Sequence, residues 1–277
     1  MIVNNFPSSY AVVSPDSIFS YNGKYEFYFD GEGNWECKFL TSGSLTISKK
    51  TLVDIFLVGG GGSGGNGARS DNAQGTATTY YAGGGGGGGE CITQSSVQMQ
   101  RQNTYALTIG AGGNDSDGGN SSFVVGSTSY VAQGGKRGND GNAASDASKG
   151  GEGGNFGGDG GVGTITHATS VWSITQAPQD GYSGGGSSTY HWNSSTKAFG
   201  ENDGALYAGG GGGGNPFLSH SGYANLGAGG AGGGGKHDAD GTANTGGGGG
   251  GGGQLSSSSP GGKGGSGIII IRNHRSS

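Results

Sequence analysis

The run GGGGGGG at 83–89, with GGGGGG at 209–214 and GGGGGGGG at 246–253, decides how this chain folds. Bare polyglycine has no side chain to bury and loses more conformational freedom on folding than any other sequence, so alone it stays disordered. Order needs an offsetting interaction, and only the backbone can supply it. The extended left-handed polyproline-II helix turns once in three residues, bonds none of its own peptide groups and leaves every N–H and C=O pointing sideways. Packed side by side, such helices pair one another's groups and meet the rule that buried peptides are bonded. Only glycine lets the axes come that close. A helix surrounded on all sides needs glycine at every position, which marks the unbroken runs as interior. A helix with one outward face relaxes to Gly-Gly-X, as at 150–154, 157–163 and 261–267. At about 3.1 Å per residue, seven or eight glycines span about 20–25 Å.

Composition supplies the competing readings. Glycine makes up 72 of 277 residues, and without a strict period that usually means a flexible linker. Sharp run boundaries and the apolar segments between runs argue against a linker, which needs neither. Five prolines and no sustained Gly-X-Y period exclude collagen. A pI of 5.4 and a net charge of −5 leave no basic stripe for nucleic acid. No stretch has the length of a membrane span, so no membrane insertion is expected. Met1-Ile2-Val3-Asn4-Asn5 lacks the basic start and apolar core of a secretory leader. Action outside a cell then implies release inside a virion or through lysis.

The expected fold class is all-β. Residues 1–58 read as the N-terminal strands, 59–267 as the glycine-rich region with intervening strands in 90–132 and exposed loops, and 268–277 as a closing strand. Tyr25-Glu26-Phe27-Tyr28-Phe29 is followed by a turn at 30–34, and Trp35, Cys37 and Phe39 then alternate onto one face. Ser44-Leu45-Thr46-Ile47 is a short strand. Leu52-Val53-Asp54-Ile55-Phe56-Leu57-Val58 is nearly continuous, reads as central, and runs straight into Gly59. Further strands are expected at 90–93, 96–99 and 105–110, with a hairpin of 121–125 and 128–132 around Gly126-Ser127. Beyond 133 only 164–166 and 170–174 read as strands. Ile268-Ile269-Ile270-Ile271-Arg272 follows a glycine repeat as 53–58 precedes one, so these two are expected to be neighbours. No helix signal is convincing.

The order of four motifs resembles a known family: Val58-Gly59-Gly60-Gly61-Gly62, Thr108-Ile109-Gly110-Ala111-Gly112-Gly113, Gly119-Asn120-Ser121-Ser122-Phe123, and Gly265-Ser266-Gly267 running into Ile268 and Arg272. They resemble the glycine-rich domains of bacteriophage tail-fibre and tail-tip proteins, and a similar domain of vertebrate anaplastic lymphoma kinase. The resemblance spans about residues 45–272. It implies a polyglycine-II bundle beside a β-sandwich, tumour-necrosis-factor-like or jelly-roll-like, and loops that recognise the bacterial surface. It also implies placement on a virion tail or outside the cell, with other tail proteins as further partners and a monomer or trimer as the assembly.

Loops on a rigid scaffold are where binding concentrates. The candidates are Tyr80 and Tyr81 in the segment 69–81, Tyr190, His191 and Trp192 in 187–208, Phe217, His220 and Tyr223 in 215–226, and His237 and Asp238 in 236–245. Rings beside Asn, Asp and His suit sugars, whose C–H faces stack while hydroxyls take polar partners. The bland alternative is that these rings cap the bundle or pack on the sandwich. Asn114-Asp115-Ser116-Asp117-Gly118 offers calcium-type oxygens but lacks the EF-hand's twelfth-position glutamate, so a solvated turn is the better reading. No metal or other cofactor is expected. Cys37 and Cys91 read as buried thiols in a reducing compartment, and a receptor ectodomain like the kinase relative implies a disulfide between them. His-Glu-X-X-His and a P-loop are absent from the sequence, so no enzyme is expected. The sequence therefore points to a non-enzymatic phage adhesin for a surface glycan or surface protein of bacteria. The alternative is a structural virion or matrix-like protein without a specific ligand.

Overall fold

The computed structural model describes residues 14–29, 33–71, 78–141, 149–153, 157–161, 165–168, 172–176, 205–214, 227–253 and 259–274. In chain order the strands are β1 (Phe19–Tyr21), β2 (Tyr25–Phe29), β3 (Trp35–Phe39), β4 (Gly43–Ile47), β5 (Thr51–Val58), β6 (Ala68–Asp71) and β7 (Thr78–Tyr81). They continue with β8 (Cys91–Met99), β9 (Thr104–Thr108), β10 (Ser121–Val125), β11 (Thr128–Ala132), β12 (Ile165–Ala168), β13 (Trp172–Gln176) and β14 (Ile268–Asn273). Among the described residues the only helical turn is a 3-10 turn at Pro15–Ser17. The fold is all-β.

Two five-stranded antiparallel sheets, ordered β1-β4-β9-β10-β11 and β2-β3-β14-β5-β8, share one core. Phe19, Leu45, Ile47, Tyr105, Leu107 and Phe123 come from the first sheet; Trp35, Cys37, Phe39, Ile55, Leu57, Ile269 and Ile271 come from the second. Alternation puts those residues inward, and each buried aliphatic or aromatic side chain is worth about 1.5–3 kcal/mol. The second sheet is apolar on its other face too. There Phe56, Val58, Ile268 and Ile270 pack with Cys91, Tyr207 and Ala208, which explains why β5 and β14 read as continuous apolar runs. β14 pairs β5 from Ile268↔Val58 to Asn273↔Val53, as expected of the two glycine-flanked strands. β14 occupies the middle of that sheet and β5 the next place inward from the β8 edge, so β5 is internal but not central.

Three local expectations are corrected. The segments 90–93 and 96–99 form one strand, β8, broken by a bulge at which the register jumps from Val53↔Val97 to Ile55↔Gln94 and Ser96 takes φ 58°. The segment 69–81 is not a plain loop: β6 and β7 pair with each other, and β12 and β13 extend them into a four-stranded sheet. β12 and β13 lie one to two residues later than the alternation suggested. The β10–β11 hairpin forms around Gly126-Ser127 as read.

The glycine runs are bonded to other segments, never to themselves, and their partners change with a period of three. In 83–89 the N–H groups of Gly83, Gly86 and Gly89 donate to the carbonyls of Gly252, Gly249 and Gly246 at 2.7–2.9 Å. Those of Gly84 and Gly87 donate to Asn139 and Lys136, and those of Gly85 and Gly88 to Gly161 and Gly158. Carbonyls point to three further neighbours: Gly84 and Gly87 accept from Gly65 and Gly62, Gly83 and Gly86 from Gly214 and Gly211, and Gly85 from Gly151. Six segments therefore surround this run. The run 246–253 is enclosed in the same way, by 62–65, 83–89, 209–212, 235–239 and 262–265. All glycines of the three unbroken runs are buried, whereas Glu152, Asp159 and Lys263 of the Gly-Gly-X segments are exposed. A Cβ built on any glycine of 83–89 meets a neighbouring carbonyl oxygen at 1.9–2.2 Å, which is the steric reason for glycine at each site.

Candidate functional site

The side chains expected at loop tips separate into two groups. Tyr190, His191, Trp192, Phe217, His220 and Tyr223 lie outside the described residues. The other four are built into the frame. Tyr80 is 8% exposed in β7, opposite Arg69 and Thr166, and Tyr81 beside it is half-buried. His237 is 6% exposed, with Nε2 3.1 Å from Asp238 Oδ2. The Asp238 N–H donates to Gly251, while its Oδ1 accepts from the Gly253 N–H at 3.2 Å. The segment around His237 does not leave the scaffold as a loop; it lies along the third glycine run and bonds to it. Tyr207 behaves likewise, its ring 5.2 Å from that of Phe56. Burial, aided by the carboxylate of Glu36, pushes its hydroxyl pKa up to about 12.

The acidic turn at 114–118 is a clamp. Asp115, which takes φ 55°, accepts from Arg137 Nε at 3.0 Å and Nη2 at 2.6 Å. Arg137 also reaches Asp140, which in turn accepts the Asn66 N–H at 2.7 Å. Asp117 accepts from Lys136 Nζ at 2.9 Å and from the Arg137 N–H at 2.8 Å. Partial burial opposes ionisation of Asp117, but those two bonds and both cationic charges outweigh it and hold the carboxyl below the usual range. The carboxylates face cations of the chain itself. The neighbouring Ser63 shows why 59–65 tolerates one side chain: its hydroxyl reaches the same turn, accepting the Ser116 N–H at 3.0 Å. This broken run is a fourth interior segment, and Ser63 hid it from a search for pure glycine.

One constellation has the composition of a hydrolytic triad. Asp54 Oδ1 lies 2.7 Å from His274 Nδ1, and Ser96 Oγ lies 3.2 Å from His274 Nε2. The same Oγ is 3.4 Å from Nδ1. An oxygen nearly equidistant from both ring nitrogens stands over the ring, off the in-plane direction in which Nε2 accepts a proton. Asp54 is also committed elsewhere. It accepts the Ser96 N–H at 3.1 Å, and its Oδ2 is 3.3 Å from Nε of the fully buried Arg272. The cluster therefore fastens the β8 bulge and the end of β14 to β5. Its sequence signal was an Asp and an Arg inside otherwise apolar strands, where charges persist only if paired.

Cys37 and Cys91 are buried free thiols on opposite faces of the second sheet, with β14 and β5 between their strands, so the disulfide alternative is excluded. Burial, with nearby carboxylates, raises Cys37 well above the ordinary thiol range and Cys91 to about 12. Among the described residues no group of three metal-ligating side chains converges, and no helix is long and apolar enough to cross a membrane.

No curated protein matches this chain. The family model of the glycine-rich domain matches residues 40–274, which takes in the glycine runs, most of both five-stranded sheets and the Asp54 cluster; the chain belongs to the glycine-rich domain family.

Proposed function

We propose that this protein is a non-enzymatic binding module, a phage tail-tip adhesin that recognises a surface glycan or surface protein of a bacterium. In this reading the glycine runs are polyglycine-II helices, and the paired sheets are a tumour-necrosis-factor-like or jelly-roll-like sandwich that holds them. The three-residue rotation of bonding partners supports the helix assignment. The observation that carries the functional reading is the division of labour along the chain. The runs bury their surface against their neighbours, so recognition falls to the side-chain-rich segments joining them, chiefly 187–204 and 215–226. Tyr190, His191, Trp192, Phe217, His220 and Tyr223 are the proposed contacts, and the virion tail or the extracellular space is the proposed place of action.

The test is binding of the labelled full chain to a panel of bacterial species, with 187–204 and 215–226 replaced in turn by Gly-Ser linkers of equal length. Loss of cell binding, with amide exchange across 83–89 still slow, is the expected result. Unchanged binding by both replacements refutes the loop assignment. Absence of binding to every species favours the structural alternative.

A further inference from the structure

The outward positions of β4, β9, β10 and β11 are all Ser, Thr, Ala or Val, so the first sheet turns an uncharged face to solvent on a chain of net charge −5. Two of its valines, Val124 and Val131, are 39% exposed. At the end of this face remote from the glycine runs, the β8–β9 and β10–β11 turns border a shallow groove of about 580 Å³ that is open to solvent. Gln102, Asn103 and Thr104 line it together with Ala106, Val124 and Gly126.

We infer that this groove binds an uncharged oligosaccharide. The inference rests on the binding-module reading but places a second contact away from the loops named above. Size argues against a protein partner. Four strands at about 4.8 Å spacing and five residues at about 3.3 Å give a face of roughly 300 Å², below half of the ~800 Å² per partner of a stable protein interface. The open groove, in contrast, has room for a short glycan laid along the face. Charge argues against an acidic polysaccharide, whose carboxylates or phosphates call for Arg or Lys: the lining holds neither, and the exposed Arg101 of the same turn is not part of it. Each amide of Gln102 and Asn103 offers both a donor and an acceptor, which matches vicinal hydroxyls. Ala106 and Val124 supply the apolar surface for a pyranose C–H face. An extended peptide would seek a strand edge, and this groove lies on a sheet face.

The experiment is backbone-amide NMR on the full chain, titrated with maltohexaose, mannohexaose and a β-1,4-galactotetraose, and with tri-galacturonate as the charged control. Shifts at 102–106 and 124–126 with at least one neutral probe, none with the control, and affinity at least tenfold weaker in Ala106→Arg are expected. Ala106 is exposed on β9, so the arginine fills the groove without entering the core; Asn103→Ala gives an independent loss without added bulk. Neutral-probe binding that ignores both substitutions overturns the groove while leaving the loops as the binding site. Equal binding of the charged control, or no shift at these residues with any probe, also overturns it. Cell binding by the chain, measured separately, tells failure of the groove from failure of the adhesin reading.

Discussion

Gly249→Ala is the sharpest perturbation of the glycine scaffold. The new Cβ would stand 2.0 Å from the Gly262 oxygen, 2.5 Å from its carbonyl carbon and 2.6 Å from the Lys263 oxygen. Ordinary contact begins at 3.4 Å, so the 259–265 segment must retreat by about 1.4 Å. That segment has little freedom to move. The Gly262 N–H donates to Gly250 at 2.7 Å, its carbonyl accepts from Gly64 at 2.9 Å, and the Lys263 carbonyl accepts from Gly241 at 2.8 Å. A retreat of this size takes all three bonds beyond hydrogen-bond length. At about 1–3 kcal/mol for each of the three bonds, the loss is roughly 3–9 kcal/mol. Restricting the unfolded chain returns only about 0.4–1 kcal/mol. Against a typical stability of about 5–15 kcal/mol the effect is severe. Gly119→Ala is the matched control, since its added Cβ comes no closer than 3.1 Å, to the Ala111 nitrogen, and it is expected to cost below about 1 kcal/mol. Urea unfolding followed by tryptophan fluorescence measures both, Trp35 being 7% exposed in the core. If the two variants unfold within 1 kcal/mol of each other, the close packing of Gly249 against neighbouring backbone is refuted.

Three further outcomes are expected. Mass spectrometry of protein prepared without reductant finds Cys37 and Cys91 as free thiols, and both resist iodoacetamide at pH 8 until the chain is unfolded; a linked pair refutes the sheet topology. Asp54→Ala strips the carboxylate from the buried Arg272 and lowers stability by about 3–5 kcal/mol, whereas Asp54→Leu combined with Arg272→Met regains most of that loss in the same urea assay. Alkaline pH erodes stability through Cys91, Tyr207 and Tyr21, whose pKa values rise from 9.0, 10.0 and 10.0 to about 12 on folding. Raised values mean that the contribution is complete below the unfolded pKa and disappears as pH climbs toward 12, so circular dichroism should show unfolding in that window, displaced upward in Tyr207→Phe.

What could be read in advance followed from residues whose environment is dictated locally. Glycine at every position of 83–89 admits few explanations, and the Ile268–Ile271 and Val53–Val58 pairing followed from two apolar strands abutting glycine repeats. The β10–β11 hairpin was legible because Gly126, with φ 62°, supplies its turn. Failures came where the decisive partner is distant in sequence. Ser96 enters a bulge because Asp54, on another strand, takes its N–H. Ala68-Arg69-Ser70-Asp71 has no alternation, and it is a strand through pairing with Thr78-Thr79-Tyr80-Tyr81. His237 resembled a loop-tip ligand by composition, yet its backbone N–H donates to Gly227 and its neighbour's to Gly251. A residue's bonding duty to a glycine run leaves no mark in its own identity.

The two halves of the fold depend on each other for reasons that composition alone imposes. A glycine scaffold buries almost no apolar side chain, so hydrogen bonds worth about 0.5–1.5 kcal/mol net each must meet a backbone ordering cost of about 1–2 kcal/mol per residue, greatest for glycine. Left alone, that balance fails. The sheets alter it by delivering chain ends already in register: Val58 leads into Gly59, Gly89 leads through Glu90 into Cys91, Ala132 leads through Gln133 into Gly134, and Gly267 leads into Ile268. Each strand pair of the apolar core thus fixes the start of adjacent glycine segments, and the loop-closure cost of bringing them together is met by side-chain burial in 19–58, 91–132 and 268–272. The scaffold in turn covers the second face of β5 and β14 through Tyr207 and Ala208.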